Sequence, residues 1–236
     1  MLPEEGWWAK SVRQSLTGLI VSCQAQADNP LHGGVFMAAM ARAAAQGGAK
    51  GIRANGPEDI RAVKAVVDLP IIGILKRVID GYDVYITPDL DSARSVAEAG
   101  ADVIAVDATD RPHPEGSATE HIVTIKAELQ LPVMADVATL EEGVSAAEAG
   151  ADYVATTLSG YTPTSPSSDQ PDLKLVDELV QALDVPVIAE GRYWAPEQIA
   201  RAFELGARAV VVGTAITNPR EITRRFASVV PGTGRA

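Results

Sequence analysis

The stretch AEAGAD occurs at 97–102 and again at 147–152. In both copies an alanine-rich segment ends, a glycine follows and an apolar run begins at once, DVIAV in the first and DYVAT in the second. LGARAVVVG at 205–213 is a looser copy, and AQGGAKGIR at 45–53 is another. Glycine is the residue that most readily turns a chain out of a helix, so each copy reads as helix, glycine cap, strand. Strands joined by helices run parallel, which restricts the chain to folds built from parallel strands with helical crossovers.

Apolar runs at 19–22, 51–53, 71–75, 103–106, 133–135, 153–156, 187–189 and 209–212 read as eight strands, and the apolar stretch 84–86 reads as loop. Helical segments fall between them at 34–46, 57–67, 91–99, 118–129, 140–149, 174–183 and 196–205. Pro57 and Pro196 stand in the first helical turn, which proline suits. The strands are mostly branched and apolar, as strands covered on both faces are. Eight such units predict one (β/α)8 TIM barrel, a single α/β domain over 1–236. The alternative is a doubly wound open sheet. No Gly-x-Gly-x-x-Gly follows any strand, which weakens a dinucleotide-binding form of it. EEGWWAKSVRQSL predicts a short helix at about 4–16, with Trp7 and Trp8 packed on the barrel floor or in a subunit contact.

The chain is long and apolar enough, at 236 residues and 47% hydrophobic, to bury one large core. Its net charge of −11, with no long basic block, makes nucleic acid and anionic membranes poor partners. An anionic ligand must then be held by local groups. Cys23 is the single cysteine, so no disulfide forms within the chain and a reducing cytoplasm is expected. The acidic start is unlike a secretory signal, and no apolar run approaches the ~20 residues that span a membrane.

In a barrel of this kind the active site is built from the residues just beyond the C-terminal ends of the strands. Taken in order, these are Cys23, Gln24 and Ala25; Arg53, Ala54 and Asn55; Lys76; Asp107, Ala108 and Thr109; Asp136; Thr156 to Tyr161; Glu190, Gly191 and Arg192; and Gly213, Thr214 and Ala215. The opposite ends are plainer, with Leu69–Pro70, Leu131–Pro132 and Val185–Pro186 leading into three of the strands. Strands three and seven stand across the mouth from each other, so Lys76 and Glu190 face a substrate from opposite sides. A base and an acid so placed suit proton abstraction beside a carbonyl. Lys76 must be partly neutral to act as a base, and Arg53, Arg192 and partial burial all lower its pKa. The plainer alternative is a Lys76–Glu190 ion pair without chemistry.

Gly191 with Arg192, and Gly213 with Thr214, follow the last two strands, where barrels commonly bind phosphate. A short helix begins near Ala215. Metal binding finds little support, because His32, His113 and His121 show no ligand spacing with acids. His113, between two prolines, is expected to be exposed or at the site rim. Cys23 has no histidine base and is expected to be structural. Two further function classes stay open: an aldolase-like lyase with Lys76 as imine former, and a non-catalytic sugar-phosphate binder.

The motifs LIVSCQA with PLH, GIRANG, PIIGILKR, DVIAVDAT, ADVAT, TTLSGYT, VIAEGR and VVGTAIT resemble, in order, the N-acetylmannosamine-6-phosphate 2-epimerase family, from about 19 to 223. The resemblance implies a (β/α)8 barrel that interconverts N-acetyl-D-mannosamine 6-phosphate and N-acetyl-D-glucosamine 6-phosphate. It implies a role in sialic acid and amino-sugar catabolism, no redox cofactor or metal, and a homo-oligomer, as a dimer. Carried over by motif, Lys76 and Glu190 are the acid–base residues. Gln24, Arg53 and Asp136 hold the sugar and its N-acetyl group. Gly191, Arg192, Gly213 and Thr214 hold the phosphate, and Tyr161 closes over the substrate. The chain departs from the family at Asn218, where the family often has arginine and Arg220 stands two positions later, and at Arg111-Pro112-His113-Pro114, where a second arginine often precedes the proline.

Overall fold

The computed structural model of the protein describes residues 16–231. Its strands are β1 (Gly18–Cys23), β2 (Gly51–Asn55), β3 (Ile71–Ile74), β4 (Val103–Asp107), β5 (Val133–Asp136), β6 (Tyr153–Ala155), β7 (Val187–Glu190) and β8 (Ala209–Val212). Each pairs in parallel with the next, and β1 pairs with β8, so the sheet is a closed barrel with no free edge. The crossovers carry α1 (Gly34–Gln46), α2 (Pro57–Lys64), α3 (Leu90–Glu98), α4 (Ala118–Leu129), α5 (Leu140–Glu148), α6 (Leu173–Ala182) and α7 (Pro196–Glu204). After β8 come the one-turn α8 (Thr214–Thr217) and then α9 (Pro219–Ala227).

This closed barrel replaces the open-sheet alternative. The helix at about 4–16, with Trp7 and Trp8, lies outside the described residues except for Leu16, which is fully buried in the barrel interior. Three local boundaries differ from expectation. Helix α2 stops at Lys64, short of 67. Thr156 leaves β6 to start a 3-10 turn, Thr156–Leu158. The stretch 84–86 is the return arm of a hairpin that bridges back to Lys76 through Ile86. Helix α9 was not anticipated, although Asn218 caps it and Pro219 occupies its first turn.

Strand alternation sorts the side chains into two layers. Ile20, Ile72, Ile74, Val103, Ala105, Met134, Tyr153, Ile188 and Val211 form the barrel interior, while Val21, Ile52, Ile71, Ile104, Val106, Val133 and Val154 pack outward against the helices. The same parity carries the inward register up to the mouth: 72, 74, 76 on the third strand, 134, 136 on the fifth, 153, 155, 157 on the sixth and 188, 190 on the seventh. Gly73 points outward, where a Cβ would lie 2.5 Å from Val96 and 2.6 Å from Ala101, so its lack of a side chain lets α3 lie against the barrel.

The repeated AEAGAD performs one task twice at the barrel's N-terminal end. Asp102 accepts from the Ile71 amide at 2.9 Å and pairs with Lys64 of α2. Asp152 accepts from the Val133 amide at 2.9 Å and pairs with Lys126 of α4. Each aspartate thus ties its own strand to the first residue of the preceding one and to the helix that came before it.

Candidate active site

Lys76 stands just beyond β3 on a backbone fixed at three successive amides. Leu75 N–H donates to Thr87 Oγ1 at 3.1 Å, Lys76 N–H to Asn55 Oδ1 at 2.8 Å and Arg77 N–H to the Tyr85 carbonyl at 2.9 Å. Its side chain reaches into an open cavity of about 470 Å3 at the C-terminal mouth and makes no ion pair among the described residues. The surface it exposes faces that cavity, whose walls still remove much of its water. Burial is the largest influence and lowers the ammonium pKa; Arg53 lowers it further, and Glu190 and Asp136 oppose them.

Facing Lys76 is a buried cluster. Arg53, 1% exposed, grips Asp136, 0% exposed, with Nη2–Oδ2 at 2.5 Å and Nη1–Oδ1 at 3.1 Å. The same Nη1 donates to Glu190 Oε2 at 2.7 Å. Burial works against the Arg53 charge, but Asp136 and Glu190 outweigh it, and the guanidinium stays protonated. Burial also pushes the Glu190 carboxyl up, to about 7; Arg53, Thr157 and Lys76 restrain that rise and Asp136 adds to it. Glu190 therefore pairs with Arg53, and the plain Lys76–Glu190 ion pair is absent among the described residues.

Of the ten site residues expected from the sequence, nine line the cavity; Asp136 lies beneath, behind Arg53. Gln24 donates to Ser22 Oγ at 2.7 Å, while its Oε1 is buried without a partner. Arg192 is turned differently from a free phosphate ligand. Its Nε donates to the Gln170 carbonyl at 2.8 Å and its Nη1 to the Ser159 carbonyl at 2.5 Å. The guanidinium also lies 5.2 Å from the Tyr161 ring and so straps down the loop that carries this exposed tyrosine. A Cβ on Gly160, whose φ is +80°, would meet Arg192 Nη1 at 2.5 Å, so the strap depends on glycine there. Arg220 lines the same cavity from α9 and pairs with the exposed Asp28 at 3.0 Å.

Asn55, Tyr85 and Thr157 also line the cavity; the sequence placed Asn55 and Thr157 among the strand-end residues without assigning them a role, and did not pick out Tyr85. Parity marks Asn55 and Thr157, each two positions beyond an inward residue of its strand; Tyr85 comes from the hairpin that had read as loop. His113 is not exposed or at the rim. It is buried, with Nδ1 2.7 Å from the Arg111 carbonyl and Nε2 2.9 Å from the Asp107 carbonyl, so it closes its own loop. Cys23 is fully buried, and burial with nearby Asp59 pushes its thiol up to about 12, which makes it a core residue and not a nucleophile. Among the described residues no group of His, Cys, Asp and Glu is arranged to hold a metal ion, and no helix is long and apolar enough to cross a membrane.

Fold and site together define a (β/α)8 barrel whose C-terminal mouth holds a lysine and a glutamate lining one cavity. The family model described as "Putative N-acetylmannosamine-6-phosphate epimerase" matches residues 37–231, and the chain belongs to that family. A relative from Caldanaerobacter subterraneus subsp. tengcongensis, described as a "Putative N-acetylmannosamine-6-phosphate 2-epimerase", is 52% identical over 215 residues, covering 90% of this chain and 91% of its own. One of the same description from Clostridium perfringens is 48% identical, covering 90% and 96%. The solved structure of the N-acetylmannosamine-6-phosphate 2-epimerase from Clostridium perfringens superposes with a TM-score of 0.90 at 45% identity, covering 93% of this chain and 96% of that one.

Proposed function

We propose that the protein is an isomerase that interconverts N-acetyl-D-mannosamine 6-phosphate and N-acetyl-D-glucosamine 6-phosphate by proton transfer at C2. The observation that carries this reading is an amine of lowered pKa and a carboxyl of raised pKa turned into one cavity. Opposite shifts of this sense bring a base and an acid toward neutral pH, where both can work. With the sugar ring open, C2 lies beside the C1 aldehyde. Neutral Lys76 takes the C2 proton and becomes an ammonium; the C–H electron pair forms the C1–C2 double bond and O1 takes the negative charge. Glu190, protonated, returns a proton to the other face of C2: the C1–C2 double-bond pair forms the new C–H bond and a pair on O1 reforms the C1 carbonyl. Glu190 is left ionised, and exchange with water resets both groups.

Other residues bind and orient. The unpartnered Gln24 Oε1 accepts the N–H of the acetamido group. Arg53 acts on the sugar through Glu190, which it holds, and Asp136 acts by holding Arg53. The phosphate rests on the Gly191, Gly213 and Thr214 backbone; Arg192 shapes the wall beside it, and Arg220 is free to exchange the exposed Asp28 for the phosphate. Tyr161 covers the substrate from the loop that Arg192 straps. The reaction belongs to sialic acid and amino-sugar catabolism in the cytoplasm. The working unit is a homodimer: α9 buries none of its residues, and Phe226 on it, with Val229 and Val230 just beyond its end, is exposed, an apolar surface suited to a second copy.

Proton NMR of the protein with N-acetylmannosamine 6-phosphate in heavy water tests the reading. The expected result is the gluco epimer carrying deuterium at C2, with Lys76→Ala slower by about 1,000-fold or more while still binding the sugar phosphate. Full activity in Lys76→Ala, or no epimer from folded wild-type protein, overturns it.

A further inference from the structure

Two consecutive threonines meet Glu190, each at a different place. Thr156 Oγ1 accepts from the Glu190 amide at 3.0 Å and donates to the Glu190 carbonyl at 2.9 Å, which fixes the backbone of the acid. Thr157 is next in line, in the 3-10 turn that follows β6, and lines the cavity. Its Oγ1 lies 2.6 Å from Asp136 Oδ1 and 3.2 Å from Glu190 Oε2. Arg53 Nη1 bridges the same two oxygens, at 3.1 Å and 2.7 Å. Two donors and two acceptors thus close a ring. Arg53 Nη1 has two protons and serves both carboxylates at once, whereas the Thr157 hydroxyl has one and serves only one at a time.

We propose that Thr157 is the positioning residue of the acid: its hydroxyl turns to Oε2 when Glu190 is ionised and to Asp136 when Glu190 is protonated. Oε2 is then an acceptor in both states, toward Arg53 throughout and toward Thr157 in the ionised one. The mobile proton is left to Oε1, which has no hydrogen-bond partner among the described residues, on a side chain that lines the cavity. Arg53 thus marks Oε2 in both states and Thr157 reinforces that choice in the ionised one, which leaves Oε1 as the oxygen turned to the substrate. The charged groups facing Glu190 are Arg53 from β2, Lys76 beyond β3 and Asp136 from β5; Thr157, beyond β6, is the uncharged donor among them. A hydroxyl that donates to a carboxylate favours its ionised form, so removing the hydroxyl raises the carboxyl's pKa.

The inference rests on the epimerase reading for its meaning but not for its test. The Glu190 carboxyl carbon is followed by NMR in protein labelled at the glutamate carboxyl carbons, titrated without substrate and assigned with Glu190→Gln. Thr157→Val, which keeps the shape and loses the hydroxyl, is expected to raise the Glu190 midpoint by about one pH unit or more, and Thr157→Ser to restore it. In turnover, the pH limb that follows Glu190 moves upward by the same amount in Thr157→Val, and kcat falls more than KM changes. An unchanged midpoint in folded Thr157→Val overturns the proposal. So does an equal shift in Thr157→Val and Thr157→Ser, because a variant that keeps the hydroxyl would then behave like one that lacks it. Loss of turnover in the wild type would count against the epimerase reading and leave the substrate-free titration to decide this one.

Discussion

The Arg53 guanidinium is the residue on which the acid side of the site turns. It is buried, it holds Asp136 with both arms and it reaches Glu190 with one of them. A planar fork is needed for that, and lysine has none. Arg53→Lys is therefore expected to cost about 2–3 kcal/mol of stability and to lower kcat about 100-fold, because Glu190 loses its fixed orientation. Urea unfolding and initial rates check both; wild-type values in both would show that a single point charge suffices. Arg53, Asp136 and Glu190 could all be picked out in the sequence as strand-end residues. Their division of labour could not, since which carboxylate faces the cavity and which supports the arginine depends on depth in the barrel, and residue order carries no depth.

Among the elements, the two AEAGAD segments allow a controlled comparison. The same aspartate makes the same pair of contacts, but Asp152 is almost fully buried, whereas Asp102 is only part-buried and its partner Lys64 is exposed. Water screens the outer pair more than the inner one. Asp152→Ala is expected to cost about 2–4 kcal/mol, leaving the Val133 amide unpaired in the core, and Asp102→Ala about 1–2 kcal/mol. Thermal or denaturant unfolding of the two variants checks the order, and equal losses would mean that burial does not separate the copies. The repeat was visible in the sequence as helix, glycine and strand; its aspartate's role was not, because it is made by contact with a strand some twenty to thirty residues earlier. The same limit hid His113, whose ring bonds to carbonyls that only the folded loop brings around it.

At the scale of the whole molecule, the barrel was the most legible feature, since eight helix–strand units fix its topology with few alternatives. The surface was the least legible. Helix α9 carries Phe226, 72% exposed, on an element with no buried residue, and no periodic pattern announced it. If the proposed dimer forms through this face, Phe226→Asp is expected to give a monomer in light scattering while circular dichroism stays unchanged; a wild-type protein that is already monomeric would remove this face from the account. The two sides of the mouth are also mounted in unlike ways. Glu190 is held at its backbone and at one carboxyl oxygen, whereas Lys76 is held at its backbone and its ammonium makes no side-chain hydrogen bond or ion pair among the described residues. The two epimers carry the C2 hydrogen on opposite faces of the same carbon, so under the proposed mechanism a group on each face meets the hydrogen of one epimer or the other. Amine and acid then exchange the parts of base and donor with the direction of reaction, which would let one site take each epimer as the starting material of the other.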